Sequence, residues 1–217
     1  MTAPKLCVFD LDGTLIDSLE DLAVSMNVAL TRYGLPVHPV DDYRLFVGSG
    51  VKNLILRAAA PHPCPEELLA GLREAFDLHY NAHCFDHTRP YPGCMELLGA
   101  LKEQGVQAAI LSNKPDRFVG EIARRLFPEI PFSVVWGNRP EYPIKPDPAS
   151  LLETIRLSGA RPEDCLYIGD SDVDVFTAKN AGVKSCGACW GFRGEEELRS
   201  AGVDVLLTHP LDLIRQL

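Results

Sequence analysis

The stretch Leu6-Cys7-Val8-Phe9-Asp10-Leu11-Asp12-Gly13-Thr14-Leu15-Ile16-Asp17 decides how the rest of this chain is read. Four apolar residues, Leu6 to Phe9, run into two aspartates spaced by two and then into Gly13 and Thr14, the pattern of a buried strand ending in a tight polar turn. Residues i and i+2 of a strand point the same way, so Asp10 and Asp12 present two carboxylates to one place. Paired negative charges at a strand end are costly unless a cation or a shared proton lies between them. The stretch therefore predicts something positive beside it.

A surface turn alone would account for Asp-Gly-Thr, since all three are turn-formers. The four fixed types of D-x-D-G-T, however, arise by accident in a chain of this length only about once in several hundred sequences. A calcium loop starting at Asp10 would need Gly at its sixth position and Glu at its twelfth. Leu15 and Asp21 stand there instead.

The chain is 217 residues long, 46% hydrophobic and 24% charged, which suits one large core or a core carrying a smaller insertion. Its formal charge of −9 and pI near 5.1 argue against nucleic-acid and acidic-membrane partners, because no basic surplus exists to neutralise phosphates or head groups. An anionic small molecule remains compatible if positive charge is local. No run approaches the ~18 apolar residues of a membrane span and no signal-peptide core opens the chain, so a cytoplasmic protein is expected; a monomer and a homodimer are both compatible with the sequence. Seven scattered cysteines fit reduced thiols better than a disulfide framework. Cys186-Gly-Ala-Cys189 has no second CxxC to complete four ligands.

Downstream of the opening strand, Leu19, Leu22, Ala23, Met26, Leu30 and Tyr33 form one stripe, with Asp17 or Ser18 as N-cap and Gly34 and Pro36 as the stop. A helix follows from Leu19 to Tyr33, and residues 41–60 and 65–84 continue the helical pattern. Within this block Gly48-Ser49-Gly50 and Val51-Lys52 precede a helix expected from about Asn53, bringing backbone N–H groups, a hydroxyl and an ammonium to a helix N-terminus suited to an anion. A flexible turn between helices explains the same residues equally well. His79, His83 and His87 recur at i, i+4 and i+8 and could align imidazoles for a metal, although only Cys84 joins them at bonding spacing.

From Pro92-Gly93 onward the texture changes to alternating helix and strand. Helix 95–102, strand 106–111, helix 115–126 and strand 132–136 are followed by helix 149–157, strand 165–168, helix 172–181 and strand 183–186. A last pair is expected near 203–206 and 211–216. Such alternation implies βαβ crossovers, hence an α/β fold with a Rossmann-like parallel sheet and helices on both faces. Ligands of such sheets bind at the carboxyl ends of the strands.

Polar clusters fall at those ends: Asp10 and Asp12; Ser112-Asn113-Lys114; Lys145 in a later loop; and Asp170-Ser171-Asp172-Val173-Asp174. Each has an ordinary reading by itself, as helix cap, solvated charge or acids at a helix start. Those readings do not explain why all four share one sheet edge. Together they supply a carboxylate nucleophile, a second carboxylate for acid and base work, further acids for a hard divalent cation, and a hydroxyl and lysine for phosphoryl oxygens.

In this order and spacing the four clusters resemble the haloacid dehalogenase-like hydrolase superfamily, with DxDGT, then Ser or Thr, then Lys, then GDSxxD. The stretches YPGCMELLGALKEQG, LSNKPDRFV, KPDP, WGFRGEEEL and FVGSGVKNLILRA look most like its phosphoglycolate phosphatases, with SNKP where many relatives have TNKP. The resemblance implies that Asp10 attacks a phosphoryl group, that Asp12 is the acid and base, and that Ser112, Asn113 and Lys145 hold the phosphoryl oxygens. It also implies Mg²⁺ held by Asp10, the Asp12 carbonyl and Asp170, with Asp174 in the outer shell. Residues 16–86 would form a helical cap inserted after the first strand of a core made of residues 1–15 and 87–217, with Ser49, Gly50 and Lys52 as cap contacts to the substrate. The expected reaction is hydrolysis of a small phosphate ester such as 2-phosphoglycolate. Two alternatives are a phosphosugar mutase on the same fold and a non-hydrolytic phosphoacceptor of the response-regulator type.

Overall fold

The computed structural model describes residues 4–217. It contains two compact units: one comprises the described residues up to Ile16 together with Pro90–Leu217, the other is Asp17–Arg89. Two short strands, β2 (Ile16–Asp17) and β3 (Arg89–Pro90), pair where the chain leaves the first unit and returns to it.

The first unit is built on six strands, all paired in parallel. They are β1 (Leu6–Phe9), β4 (Gln107–Pro115), β5 (Val135–Asn138), β6 (Cys165–Gly169), β7 (Lys184–Ala188) and β8 (Val205–Leu207), in the order β5-β4-β1-β6-β7-β8. β1 is a central strand with every residue buried, which is why it reads as a continuous apolar run rather than an alternation. Between the strands lie α5 (Cys94–Glu103), α6 (Asp116–Leu126), α7 (Ala149–Leu157), α8 (Asp172–Asn180) and α9 (Gly194–Ser200). Their apolar residues join Leu6, Val8, Leu111 and Tyr167 in the core. Each such side chain removed from water contributes about 1.5–3 kcal/mol, so a charge introduced at Val8 would break the sheet at its centre.

Register is what builds the site. Phe9 lies opposite Ile110 of β4 and Ile168 of β6, and the Asp10 amide donates to the Ile168 carbonyl (2.8 Å). Asp10, Ser112 and Asp170 therefore leave three adjacent strands at their carboxyl ends within a residue or two of one another.

The second unit is helical: α1 (Leu19–Arg32), α2 (Tyr43–Phe46), α3 (Gly50–Ala59) and α4 (Glu66–His83). α1 and α4 bury Leu22, Met26 and Leu30 and Leu72, Phe76 and Tyr80 respectively. The structure corrects the sequence reading in six places. Residues 41–60 are not one helical run, because α2 stops at Phe46, Val47 is extended and Gly48 takes a positive φ. α3 begins at Gly50 rather than near Asn53. Tyr33 caps α1 and is exposed instead of joining its buried stripe. His87 lies beyond the end of α4, so the histidine repeat is a pair on the helix and not a triple. In the first unit, the strand expected at 132–136 forms at Val135–Asn138, and the last helical segment is a 3₁₀ turn, Pro210–Gln216.

Candidate active site

Two aspartates end the central strand and turn into Gly13, whose φ of +84° is a conformation that glycine adopts without strain. A Cβ there would collide with the Asp170 carboxylate, and one at Gly191 would collide with Asp170 and with the Gly13 carbonyl. Both glycines let main chain pack against an acid. The turn is tied from behind by the Trp190 indole, which donates to the Thr14 carbonyl (3.0 Å).

Asp10, Asp170 and Asp174 are all buried, and each offers a carboxylate oxygen within 4.8 Å of the others. Lys145 is the positive group among them. Its Nζ lies 3.0 Å from Asp10 Oδ1, donates to Asp174 Oδ1 (2.7 Å) and donates to the Tyr167 hydroxyl (3.0 Å). Burial pulls the lysine pKa down, but Asp10 and Asp174 outweigh it and hold it well above the usual range.

The acids respond in the opposite sense. Burial pushes Asp10 up to about 6, offset in part by Lys145 and reinforced by Asp174 and Asp12. Asp170 is raised well above the usual carboxylate range by burial and then by Asp174 and Asp10, although the Phe192 amide donates to it (2.7 Å). Lys145 approaches Asp10 Oδ1 off the hydrogen-bonding direction, so this buried oxygen has no hydrogen-bond partner. An ionic neighbour compensates its charge while its lone pairs stay unused.

The donor set is all oxygen, crowded, buried and short of positive charge, which fits a hard divalent cation of the Mg²⁺ class and not a thiolate- or imidazole-seeking metal. Asp10 and Asp170 have oxygens to spare for such an ion. Asp174 does not: Oδ2 accepts from the Ser171 hydroxyl (2.7 Å) and amide (3.2 Å) and Oδ1 from Lys145. It caps α8 and braces the lysine.

Asp12 stands apart from this cluster. Lys114, its side chain almost wholly buried, donates to both Asp12 oxygens (2.9 and 3.2 Å). The sequence reading assigned Lys114 no role, yet strand periodicity placed it on the side of Ser112, and that was the available signal. Asn113 commits its amide to the main chain of Lys145: Nδ2 donates to the Lys145 carbonyl (3.1 Å) and Oδ1 accepts from the Lys145 amide (2.9 Å). Ser112 is buried at the same strand end. Tyr167 and Gly191 were likewise not singled out, because their partners, Lys145 for the one and Asp170 and the Gly13 carbonyl for the other, are distant in sequence; Ser171 was given no role although its partner Asp174 is only three residues on.

Ser49, Gly50 and Lys52 lie in the helical unit, at the start of α3. The Ser49 hydroxyl accepts from Arg57 (3.2 Å), Gly50 takes a φ of +81°, and Lys52 lines a shallow concavity with Ile55, Glu66 and Arg73. All seven cysteines are free thiols. Among the described residues, no helix is long and apolar enough to cross a membrane.

A sequence model of haloacid dehalogenase-like hydrolases matches residues 7–188. A phosphoglycolate phosphatase of Pseudomonas putida is 38% identical over 196 residues, 88% of this chain and 71% of that protein. One from Mannheimia succiniciproducens is 34% identical over 217 residues, 97% of each. A crystal structure from Haemophilus somnus, described as a predicted phosphoglycolate phosphatase, superposes with a TM-score of 0.91 at 32% identity, over 99% of this chain and 98% of that one.

Proposed function

Because the chain belongs to the haloacid dehalogenase-like hydrolase family, we propose that it is a Mg²⁺-dependent phosphatase of small phosphorylated metabolites, with 2-phosphoglycolate the substrate suggested by the names of its relatives. The observation that carries the reading is Asp10. It is a buried carboxylate with an oxygen free of hydrogen bonds, next to a buried ammonium and within reach of two further acids. Hydrogen bonding would have quenched a nucleophile, and this one is left open.

In the first half-reaction an Asp10 oxygen attacks phosphorus, the bond from phosphorus to the ester oxygen breaks, and Asp12 delivers a proton to the leaving alkoxide. In the second, Asp12 takes a proton from water as that water attacks phosphorus, releasing inorganic phosphate and restoring Asp10. Lys145, Ser112 and Asn113 hold phosphoryl oxygens, and the Asn113 side chain also fixes the Lys145 loop. Lys114 orients Asp12. Asp10, the Asp12 carbonyl and Asp170 would hold Mg²⁺, with Asp174 behind them, and the ion offsets the repulsion between a carboxylate and a phosphoryl dianion. The helical unit as a cap, with Ser49, Gly50 and Lys52 contributing to substrate binding, is part of the same proposal.

The test is phosphate release from phosphoglycolate, sugar phosphates, nucleotides and pyrophosphate, with Mg²⁺ and with chelator, for the native chain and Asp10→Asn. Release that needs Mg²⁺ and disappears in a folded Asp10→Asn is expected. Full activity in chelator or in the variant would sink the assignment. A rapid-quench experiment adds the remaining distinctions: a long-lived phosphoenzyme would favour a phosphoacceptor, and phosphate returned to sugar would favour a mutase.

A further inference from the structure

α4 carries a pair of histidines that the proposed reaction does not use. His79 and His83 stand one helical turn apart, and their rings stack with centroids 4.2 Å apart and planes 22° apart. His83 Nδ1 lies 2.8 Å from Asp86 Oδ2. An ionised carboxylate only accepts, so Nδ1 carries the proton and Nε2 of the neutral ring keeps its lone pair. His79 Nδ1 lies 3.0 Å from the Ser25 hydroxyl, which can accept as well, so the same tautomer is open to His79. Neither Nε2 has a hydrogen-bond partner among the described residues.

A ring nitrogen held by a carboxylate or hydroxyl, with the opposite nitrogen left open, is the arrangement that accompanies metal-bound imidazoles, because the outer partner fixes the tautomer and raises the basicity of the ligand. Two histidines at i and i+4 on one helix face are also the spacing by which helices chelate zinc. His83 is 47% exposed and His79 half-buried, so an ion has access. His79 is held below its usual pKa by burial and then by His83, against the pull of Asp86.

We propose that His79 and His83 form a chelating site for one imidazole-seeking divalent ion, Zn²⁺ or Ni²⁺, separate from the oxygen site of the sheet and indifferent to Mg²⁺. The two helical nitrogens supply two ligands, and water completes the coordination. The ion pins the last turn of α4. From there the chain passes through Asp86 to the His87 and Thr88 amides, which donate to Asp21. The site stands or falls independently of the phosphatase reading.

Calorimetric titration of Zn²⁺ alone, and of Ni²⁺ alone, into the full chain in excess Mg²⁺ tests it, with the Mg²⁺ there to saturate the carboxylate site. One ion per chain is expected, with affinity fading from pH 7.5 to pH 5.5 as protons compete for the imidazoles. His83→Ala and His79→Ala should each lose the one-to-one event. Asp86→Ala, which leaves both ligands in place, should weaken it about tenfold by releasing the outer partner. His83 is a surface residue, so its variant tests the ligand without disturbing the helix core, and circular dichroism checks both variants. The thiols of Cys64 and Cys189 and the remaining histidines are unchanged in these variants, so binding that survives both histidine substitutions would belong to one of those groups and overturn the proposal. Absence of any binding to the native chain would overturn it equally.

Discussion

Asp10 and Asp21 are buried to nearly the same depth, 6% and 2% exposed, and are treated in opposite ways. Asp21, in the helical unit, accepts from the His87 amide (2.9 and 3.2 Å), the Thr88 amide (2.8 Å) and the Thr88 hydroxyl (2.6 Å). Its charge is dispersed over donors fixed by the main chain, and it clasps the end of the unit to the start of α1. Asp10 has an oxygen with no hydrogen-bond partner and two other acids for neighbours. A buried carboxylate saturated with donors is a structural device; one crowded by its own kind and left open is held ready for chemistry and for a cation.

The largest expected effect concerns Asp12, which falls between the two, since Lys114 donates to both of its oxygens while the turn beyond β1 leaves it apart from the three-acid cluster. If it shuttles the proton, Asp12→Asn should slow turnover about 10² to 10⁴-fold with the fold intact. A folded Asp12→Asn with native turnover would move Asp12 to the structural side of the comparison.

Next in size is Asp21→Ala. It strands the buried donors of His87 and Thr88, and chemical denaturation should show a loss of about 3 kcal/mol, the same with and without Mg²⁺. A loss that appeared only in the presence of Mg²⁺ would make Asp21 part of the metal machinery and erase the contrast.

Asp10→Asn should move stability the other way. In chelator at pH 8 the native acid is ionised against its environment, so the neutral isostere should stabilise the chain by up to about 3 kcal/mol, the free-energy equivalent of its upward pKa shift. Activity would be lost while stability rose. Destabilisation instead would show that the Lys145 contact is worth more than the crowding costs.

The sheet side of this comparison was legible in the sequence and the helical side much less so. Strand β1 announced itself because a doubly covered strand is continuously apolar, and the motif acids follow directly from strand ends whose direction the alternation fixes. Lys114 and Asn113 were harder to read. Their partners, Asp12 and the Lys145 main chain, are distant in sequence, and only register reveals that Asn113 grips a loop. In the helical unit, periodicity found α1 and α4. The break before α3 was visible in Gly48 and Gly50 rather than in the periodicity, and its bounds were not, because they depend on backbone conformation at those two glycines. Asp21 was invisible for the same reason as Lys114: nothing local in LEDLA says that the His87 and Thr88 amides will return to it.

The smallest and sharpest prediction is the pH dependence of metal binding. In the metal-free chain Asp10 has a folded pKa of about 6 against the usual 3.8, so the folded state favours its neutral form. Its contribution to metal-free stability is therefore fully present below about pH 3.8 and is lost as pH rises through about 6. An ion of the Mg²⁺ class needs the ionised form and pulls in the opposite direction. Above pH 6 no proton has to be displaced from Asp10 and the affinity should level off; below it the affinity should fall by up to about tenfold per pH unit, one proton being released for each ion bound. Asp170, also raised, would steepen that slope if it binds the ion directly. The readout is the rise in unfolding temperature on adding saturating Mg²⁺, measured from pH 5 to pH 8. It should grow to about pH 7 and then flatten in the native chain, and Asp10→Asn should remove much of the pH dependence while Asp21→Ala leaves it unaltered. A native curve that is flat across this range would mean that the open oxygen of Asp10 is not where the cation binds.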